Sequence, residues 1–238
     1  MAKIDRDIDN HNSKYHQYIE KSYFHVCEGK SVLEIGPSRG TQTPCILKNN
    51  PSSITLVEAD PECNDILQFR HPSADIIIQD IFEYYKEPHK VDVVVCCGVL
   101  YHLHNPFHLL ELIVNQSNPD YLVLDCTDID EVSGWLGNHI NVFQGHPLFD
   151  NENPDGYTTV YRNKNIHAVV VDDEPINGAG MRQATQTKNT MFSIVFHTDL
   201  YRRSLEGMGY QILKLDRLGK KFKTDSKFNN WMGIWKKI

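Results

Sequence analysis

Three acidic residues stand where three successive short apolar runs end: Glu34, Glu58 and Asp80. Two glycines, Gly36 and Gly40, flank the turn that follows the first of them. A glycine turn after a strand lets the backbone come close to a bound molecule, and taken alone it is equally a plain tight turn. The context adds meaning. Glu58 follows Gly36 by about twenty residues, the separation at which a nucleotide-binding sheet sets an acid against ribose hydroxyls. Asp80 ends the next run, so the three acids make a row along one crevice.

The turn itself reads Glu34-Ile35-Gly36-Pro37-Ser38-Arg39-Gly40. A dinucleotide fold uses G-x-G-x-x-G to bring backbone N–H groups around a pyrophosphate. Here the middle glycine is missing, and Pro37 contributes no N–H. Glu34 has nothing to gain beside phosphate charges. It suits a ligand with an ammonium and a sulfonium and no phosphate. A P-loop is excluded, because no G-x-x-x-x-G-K-[ST] occurs.

The elements that position these residues follow from pattern. Short apolar, β-rich runs at 31–36, 53–58, 75–79, 91–97 and 121–125 read as strands. Between them, Thr43-Pro44, Asp60-Pro61 and Asn105-Pro106 read as helix starts, with proline at the first helical position. A short helix is expected over 81–85 and a rough helical period over 9–28, with Tyr15, Tyr18, Ile19 and Val26 as its apolar positions. Strands alternating with helices make an α/β, doubly wound, mostly parallel sheet. After Cys126 the regularity stops, and residues 127–190 are rich in Asn, Gly and Asp with β-like pieces at 157–161 and 167–171. A strand-like run at 191–196, a helix from Thr198 and strands at 210–218 and 231–238 follow. The organisation predicted is an N-terminal helical segment (1–29), a ligand-binding core (30–126), a β-rich insertion lying over the carboxyl ends of the strands (127–190), and the C-terminal part of the core sheet (191–238).

Val32-Leu33-Glu34-Ile35-Gly36-Pro37-Ser38-Arg39-Gly40, Val57-Glu58-Ala59-Asp60, Gln79-Asp80-Ile81 and Cys97-Gly98-Val99-Leu100-Tyr101-His102-Leu103 together resemble the successive motifs of the class I S-adenosylmethionine-dependent methyltransferases. The likeness covers roughly residues 30–126 and the last two strands. It implies a seven-stranded Rossmann-like methyltransferase fold closed by an antiparallel pair, and S-adenosyl-L-methionine as cofactor. It also implies roles. Glu34, Gly36, Ser38 and Gly40 hold the methionine part, Glu58 with Ala59 takes the ribose, Asp80 reads the adenine amino group with the Ile81 amide at the ring, and the backbone near Gly98 meets the methionyl ammonium. Tyr15 and Tyr18 either close over the cofactor, an aromatic face attracting a cation, or pack in the core.

Methyl transfer is an in-line displacement for which the protein supplies proximity and, for a hydroxyl acceptor, a base. His102, just past the fourth strand, is the candidate base; it equally suits a role in orienting its loop. His104 and His108 do not share a helical face with it, so no metal site is expected. His139, His146, His167 and His197 are further candidates, and Trp135 and Phe143 could line an acceptor pocket. The Asp/Asn-Pro-Pro-Tyr signature of the wider superfamily, used for nucleobase and glutamine amino groups, is absent, and so is the Pro-Cys used on cytosine carbon. The expected reaction is O- or N-methylation of a small molecule or saccharide. The stretch Gly98-Val99-Leu100-Tyr101-His102-Leu103 is also similar to one in a family that carboxymethylates a tRNA wobble uridine, which makes a tRNA uridine the alternative acceptor. A non-catalytic S-adenosylmethionine-binding module is the other.

The composition bounds these readings. The 238 residues are 40% hydrophobic and 23% charged, ordinary for a globular chain. The longest apolar run, 91–100, is interrupted by Asp92 and Gly98 and is too short to span a bilayer. The first residues lack a signal-like apolar core, and the six cysteines include no C-x-x-C, so a cytoplasmic protein is expected. A net charge of −7 makes nucleic acid an unlikely main partner. Against it stands a basic end, with Lys214, Arg217, Lys220, Lys221, Lys223, Lys227, Lys236 and Lys237, readable as a solvated hairpin or an anion-facing surface.

Overall fold

The computed structural model describes residues 14–103, 105–127, 158–160, 168–172, 192–196, 198–218 and 230–238. Seven strands form one sheet: β1 (Ser31–Ile35), β2 (Ser53–Glu58), β3 (Asp75–Ile78), β4 (Val93–Cys97), β5 (Tyr121–Thr127), and two later strands called β9 (Tyr210–Arg217) and β10 (Asn230–Lys237). Their spatial order is β3-β2-β1-β4-β5-β10-β9. The first five run parallel, and β10 lies antiparallel between β5 and β9. The chain reverses direction across the sheet between β1 and β4, and ligands of open α/β sheets bind at such a switch point, outside the carboxyl ends. A second sheet of three antiparallel strands contains β6 (Thr158–Val160), β7 (Ala168–Asp172) and β8 (Phe192–Phe196). Residues 192–196, assigned by pattern to the C-terminal part of the core, therefore belong to the smaller sheet. Phe192, Ile194, Val195 and Phe196 make a short apolar run that serves either sheet equally well, so pattern does not separate the two.

Side chains alternate across a strand, and the sheet uses both faces. Leu33, Ile35, Val94, Cys96, Leu122 and Leu124 point to one side, where α5 (Pro106–Leu112) and α6 (Thr198–Gly207) bring Leu109, Leu110, Tyr201 and Leu205. Val32, Leu56, Val93, Val95 and Val123 point to the other. There α1 (Lys14–Ser22), α2 (Thr43–Leu47) and α3 (Asn64–Arg70) bring Ile19, Cys45, Ile46 and Leu67. Burial on both faces explains why β4 is apolar throughout. β10 carries Trp231 and Trp235 into the core, where their rings meet edge to face at 5.6 Å and Trp231 packs beside Tyr201. Tyr18 and Tyr23 donate to Asp216 at 2.5 and 2.6 Å, which ties α1 and the residue that follows it to β9.

Helix starts follow the expected chemistry in two of three cases. Asp60 accepts the Glu62 N–H at 2.9 Å and Asn105 the His108 N–H at 3.1 Å. Thr43 does not cap α2. It is the first residue of that helix, and its hydroxyl donates to Glu34 at 2.8 Å. Among the described residues, no helix is long and apolar enough to cross a membrane.

Candidate functional site

Strand alternation sets four polar side chains on one face at the carboxyl ends. Glu58 continues the face of Leu56, Glu34 that of Val32, Cys97 that of Val95, and Asp125 that of Val123. This is the face that α1 and α2 cover. The turn after β1 carries three left-handed residues, with φ of 65° at Gly36, 54° at Ser38 and 73° at Gly40. Glycine is required at two of them for space as well as for φ. A Cβ on Gly36 would strike Val99, and one on Gly40 would strike the His71 ring. The end of α3 clamps the same turn: Arg70 donates to the Arg39 carbonyl at 2.6 Å, and His71 Nε2 lies 3.2 Å from the Gly40 carbonyl.

Glu58 holds this turn from the neighbouring strand. One carboxylate oxygen accepts the Ser38 N–H at 2.7 Å, the other the Asp60 N–H at 2.9 Å. A carboxylate offers about four lone-pair sites, so capacity for two ligand hydroxyls remains. Ala59, between Glu58 and Asp60, is half-buried. Asp80 lies past the end of β3, next to β2, and its side chain accepts the Phe82 N–H at 2.8 Å as the cap of α4 (Ile81–Tyr84). Ile81 has a buried side chain and is the first residue of that helix, where a backbone N–H has no intrahelical acceptor.

Glu34 is 3% exposed. Burial pushes its carboxyl up to about 7, the Thr43 hydroxyl pulls it down, and the Glu58 charge raises it again. Gly98 follows β4 with φ 73° and donates its N–H to the Asp125 carbonyl at 3.2 Å. Asp125 was legible in sequence only as the last residue of a strand, yet it is the other deeply buried acid of the crevice, 2% exposed. Its Oδ1 has no hydrogen-bond partner among the described residues. Burial alone pushes its carboxyl up to about 7.

Tyr15 lies half-buried on α1. Burial, then the nearby charges of Asp125, Cys97 and Cys45, raise its phenol far above the ordinary value, which sets Tyr15 over the ends of β4 and β5. Tyr18 instead donates to Asp216 of β9. His102 ends a 3-10 turn, Leu100–His102, with its ring 4.1 Å from that of Tyr101. The backbone of β8 packs against the same turn, which brings the smaller sheet to the carboxyl edge. His108 lies elsewhere, stacked on Phe82 at 5.7 Å and facing Glu111. Among the described residues, no group of three His, Cys, Asp or Glu is arranged to hold a metal ion. His104, His139, His146, His167 and His197 lie outside the described residues, as do Trp135, Phe143, Lys220, Lys221, Lys223 and Lys227.

These features fit S-adenosylmethionine. The turn needs glycine where a Cβ at Gly36 or Gly40 would strike Val99 or His71, Glu58 has spare acceptor capacity, and a buried carboxyl oxygen of Asp125 is left for a donor.

A methyltransferase-domain family model matches residues 15–153, more than half of the chain. Among curated proteins, the tRNA U34 carboxymethyltransferase of Campylobacter lari is 32% identical over 120 residues, 48% of this chain and 40% of that protein. The chain spans less than half the length of the curated relatives it matches. Among solved structures, the N-terminal domain of EvdMO1 in the presence of SAH and D-fucose superposes with a TM-score of 0.57 at 14% identity, covering 92% of this chain and 81% of that one. The Burkholderia thailandensis 1,6-didemethyltoxoflavin-N1-methyltransferase has a TM-score of 0.57 at 13% identity, covering 98% and 81%. At such identities the superpositions speak for the fold. Fold, motif geometry and family match agree: the chain belongs to the methyltransferase-domain family, in its class I, S-adenosylmethionine-dependent form.

Proposed function

We propose that the protein transfers a methyl group from S-adenosylmethionine to the oxygen or nitrogen of a small-molecule or saccharide acceptor. The observation that carries the reading is Glu58, whose two oxygens brace the glycine turn while keeping acceptor capacity toward the crevice. The bound cofactor supplies an electrophilic methyl on a sulfonium. The protein's own part is position and a proton acceptor. Glu34, Gly36, Ser38 and Gly40 hold the methionine side, Glu58 and Ala59 the ribose, Asp80 and Ile81 the adenine, with Gly98 and Tyr15 at the far end. His102 takes the acceptor proton; most of 127–190, expected from the sequence to lie over the acceptor, is outside the described residues.

Support for a small acceptor comes from the two structural neighbours, one crystallised with D-fucose and one with 1,6-didemethyltoxoflavin. Six unbridged cysteines, all but Cys97 buried, agree with a reducing compartment such as the cytoplasm.

The test is calorimetric titration with S-adenosylhomocysteine, followed by turnover against a panel of sugars, amines and phenols. Absence of binding by the wild type, or full binding after Glu58→Ala, would sink the cofactor site. Binding without turnover points instead to a non-catalytic module. His102→Gln is expected to keep binding and lower turnover about a hundredfold, in line with a lost general base. Undiminished turnover removes His102 from the chemistry.

A second reading, transfer to a tRNA uridine, draws on the Campylobacter lari relative. The net charge of −7 opposes it. Retention of tRNA in a gel-shift assay at about 0.15 M salt would favour it.

A further inference from the structure

We infer that Asp125 is a cofactor-binding residue, the carboxylate that receives the α-ammonium of the cofactor's methionine part. The inference rests on the site reading above and adds to it a residue that the sequence motifs do not contain.

Asp125 stands at the end of β5, paired in register with Cys97 of β4. In sheet order β2-β1-β4-β5 it lies three strands from Glu58, roughly 14 Å at the usual spacing between strands. It is therefore at the opposite end of the crevice from Asp80, where the adenine is assigned. A cofactor running from the β3 edge toward β5 brings its amino-acid end to this position. The α-ammonium is the donor-bearing cation of that end, with three N–H groups to give.

Among the described residues, no cation is placed beside Asp125. Among the described residues, the titratable groups coupled to it are the Tyr15 phenol from α1 and the Cys97 and Cys96 thiols from β4, and Cys45 of α2 and Glu34 of β1 are coupled in turn to Tyr15 and Cys97. Thiol, phenol and carboxyl are all neutral or anionic. From β10 the residue in register is Met232. The Gly98 N–H is spent on the Asp125 backbone carbonyl, and Oδ1 of the carboxyl has no hydrogen-bond partner among the described residues. A buried acceptor without a donor is costly. A carboxyl held up to about 7 by burial becomes an anion readily once a cation arrives beside it. Glu34 is the weaker choice for this role, because the Thr43 hydroxyl already serves one of its oxygens.

The test compares two ligands. S-adenosylhomocysteine carries the α-ammonium; 5′-methylthioadenosine keeps the nucleoside and sulfur and lacks the amino-acid end. Calorimetry on the full chain is expected to show Asp125→Asn weakening S-adenosylhomocysteine tenfold or more while 5′-methylthioadenosine stays within twofold. An unchanged S-adenosylhomocysteine affinity overturns the inference, and so does a parallel loss for both ligands. If Asp125→Asn does not fold, the wild type decides: its preference for S-adenosylhomocysteine over 5′-methylthioadenosine should rise severalfold between pH 6 and 8. A flat ratio overturns the inference. Glu58→Ala separates this outcome from the site reading, since failure of the ribose assignment leaves 5′-methylthioadenosine binding intact in that variant. A wild type that binds neither ligand overturns both.

Discussion

Glu58 accepts the Ser38 N–H at 2.7 Å, so the acid that ends the second strand holds the turn that follows the first. Ser38 has φ 54°, a conformation costly to an L-residue by about 1–2 kcal/mol, and this hydrogen bond offsets the cost. The arrangement couples ligand grip to loop geometry.

Glu58→Gln should therefore do two things. An amide has one acceptor oxygen, so either the Ser38 or the Asp60 N–H loses its partner, at about 1–3 kcal/mol of stability. S-adenosylhomocysteine affinity should fall at least tenfold. Urea unfolding and calorimetry measure the two separately; an amide variant with wild-type values in both removes Glu58 from loop and ligand alike.

Gly36→Ala brings a steric and a conformational cost. The new methyl meets the Val99 side chain, and φ of 65° remains strained after any repacking. Shortening Val99 to Ala opens the space and leaves the strain. The double variant should recover about 1 kcal/mol relative to the sum of the singles, with S-adenosylhomocysteine binding still impaired. Additivity within about 0.3 kcal/mol in chemical denaturation would mean that Val99 is not the obstacle.

Much of this site was readable in one dimension because its logic is local. A strand followed by a glycine turn sets Glu34, Gly36 and Gly40 within seven residues, and strand ends bring Glu58 and Asp80 to the same edge. Asp125 was not readable as a ligand group. Its sequence neighbours give no sign that the carboxyl is buried and unserved; that depends on α1 crossing the sheet and on β10 closing beside β5. Thr43 misled for a related reason. A threonine before a proline looks like a cap, but a buried carboxyl nine residues upstream, at the end of β1, takes its hydroxyl. The run 191–196 shows the remaining limit, since apolar alternation says strand and does not say which sheet.

Thr43→Val tests the partnership inside the crevice. The hydroxyl lowers the Glu34 pKa, so removing it leaves burial and the Glu58 charge to act alone and moves the carboxyl above about 7. At pH 7 more of Glu34 is then neutral. S-adenosylhomocysteine affinity should drop about three- to tenfold at pH 7 and recover as the pH is raised to 8.5, because each pKa unit shifts ionisation tenfold. Identical pH profiles for wild type and variant would show that ionised Glu34 is not needed for binding.

Asp125 makes the ligand-free protein pay for a buried charge as pH rises. Its folded pKa is raised from 3.8 to about 7, so the folded state binds the proton more tightly than the unfolded chain does. The associated stability is fully present below about pH 4 and is lost as pH rises through 7. Three units correspond to on the order of 4 kcal/mol by pH 8. Asp125→Asn has no charge to bury. Measured against the wild type by urea denaturation, a difference in which the other groups cancel, it should gain stability between about pH 4 and pH 7 and level off above that. Glu34, shifted in the same direction, contributes to both proteins equally. Saturating S-adenosylhomocysteine should reverse the order at pH 8, because only the wild type then has a carboxylate facing the ammonium. A pH-independent difference between the two proteins, or equal stabilisation of both by ligand, would remove the buried charge from the energetics of this fold.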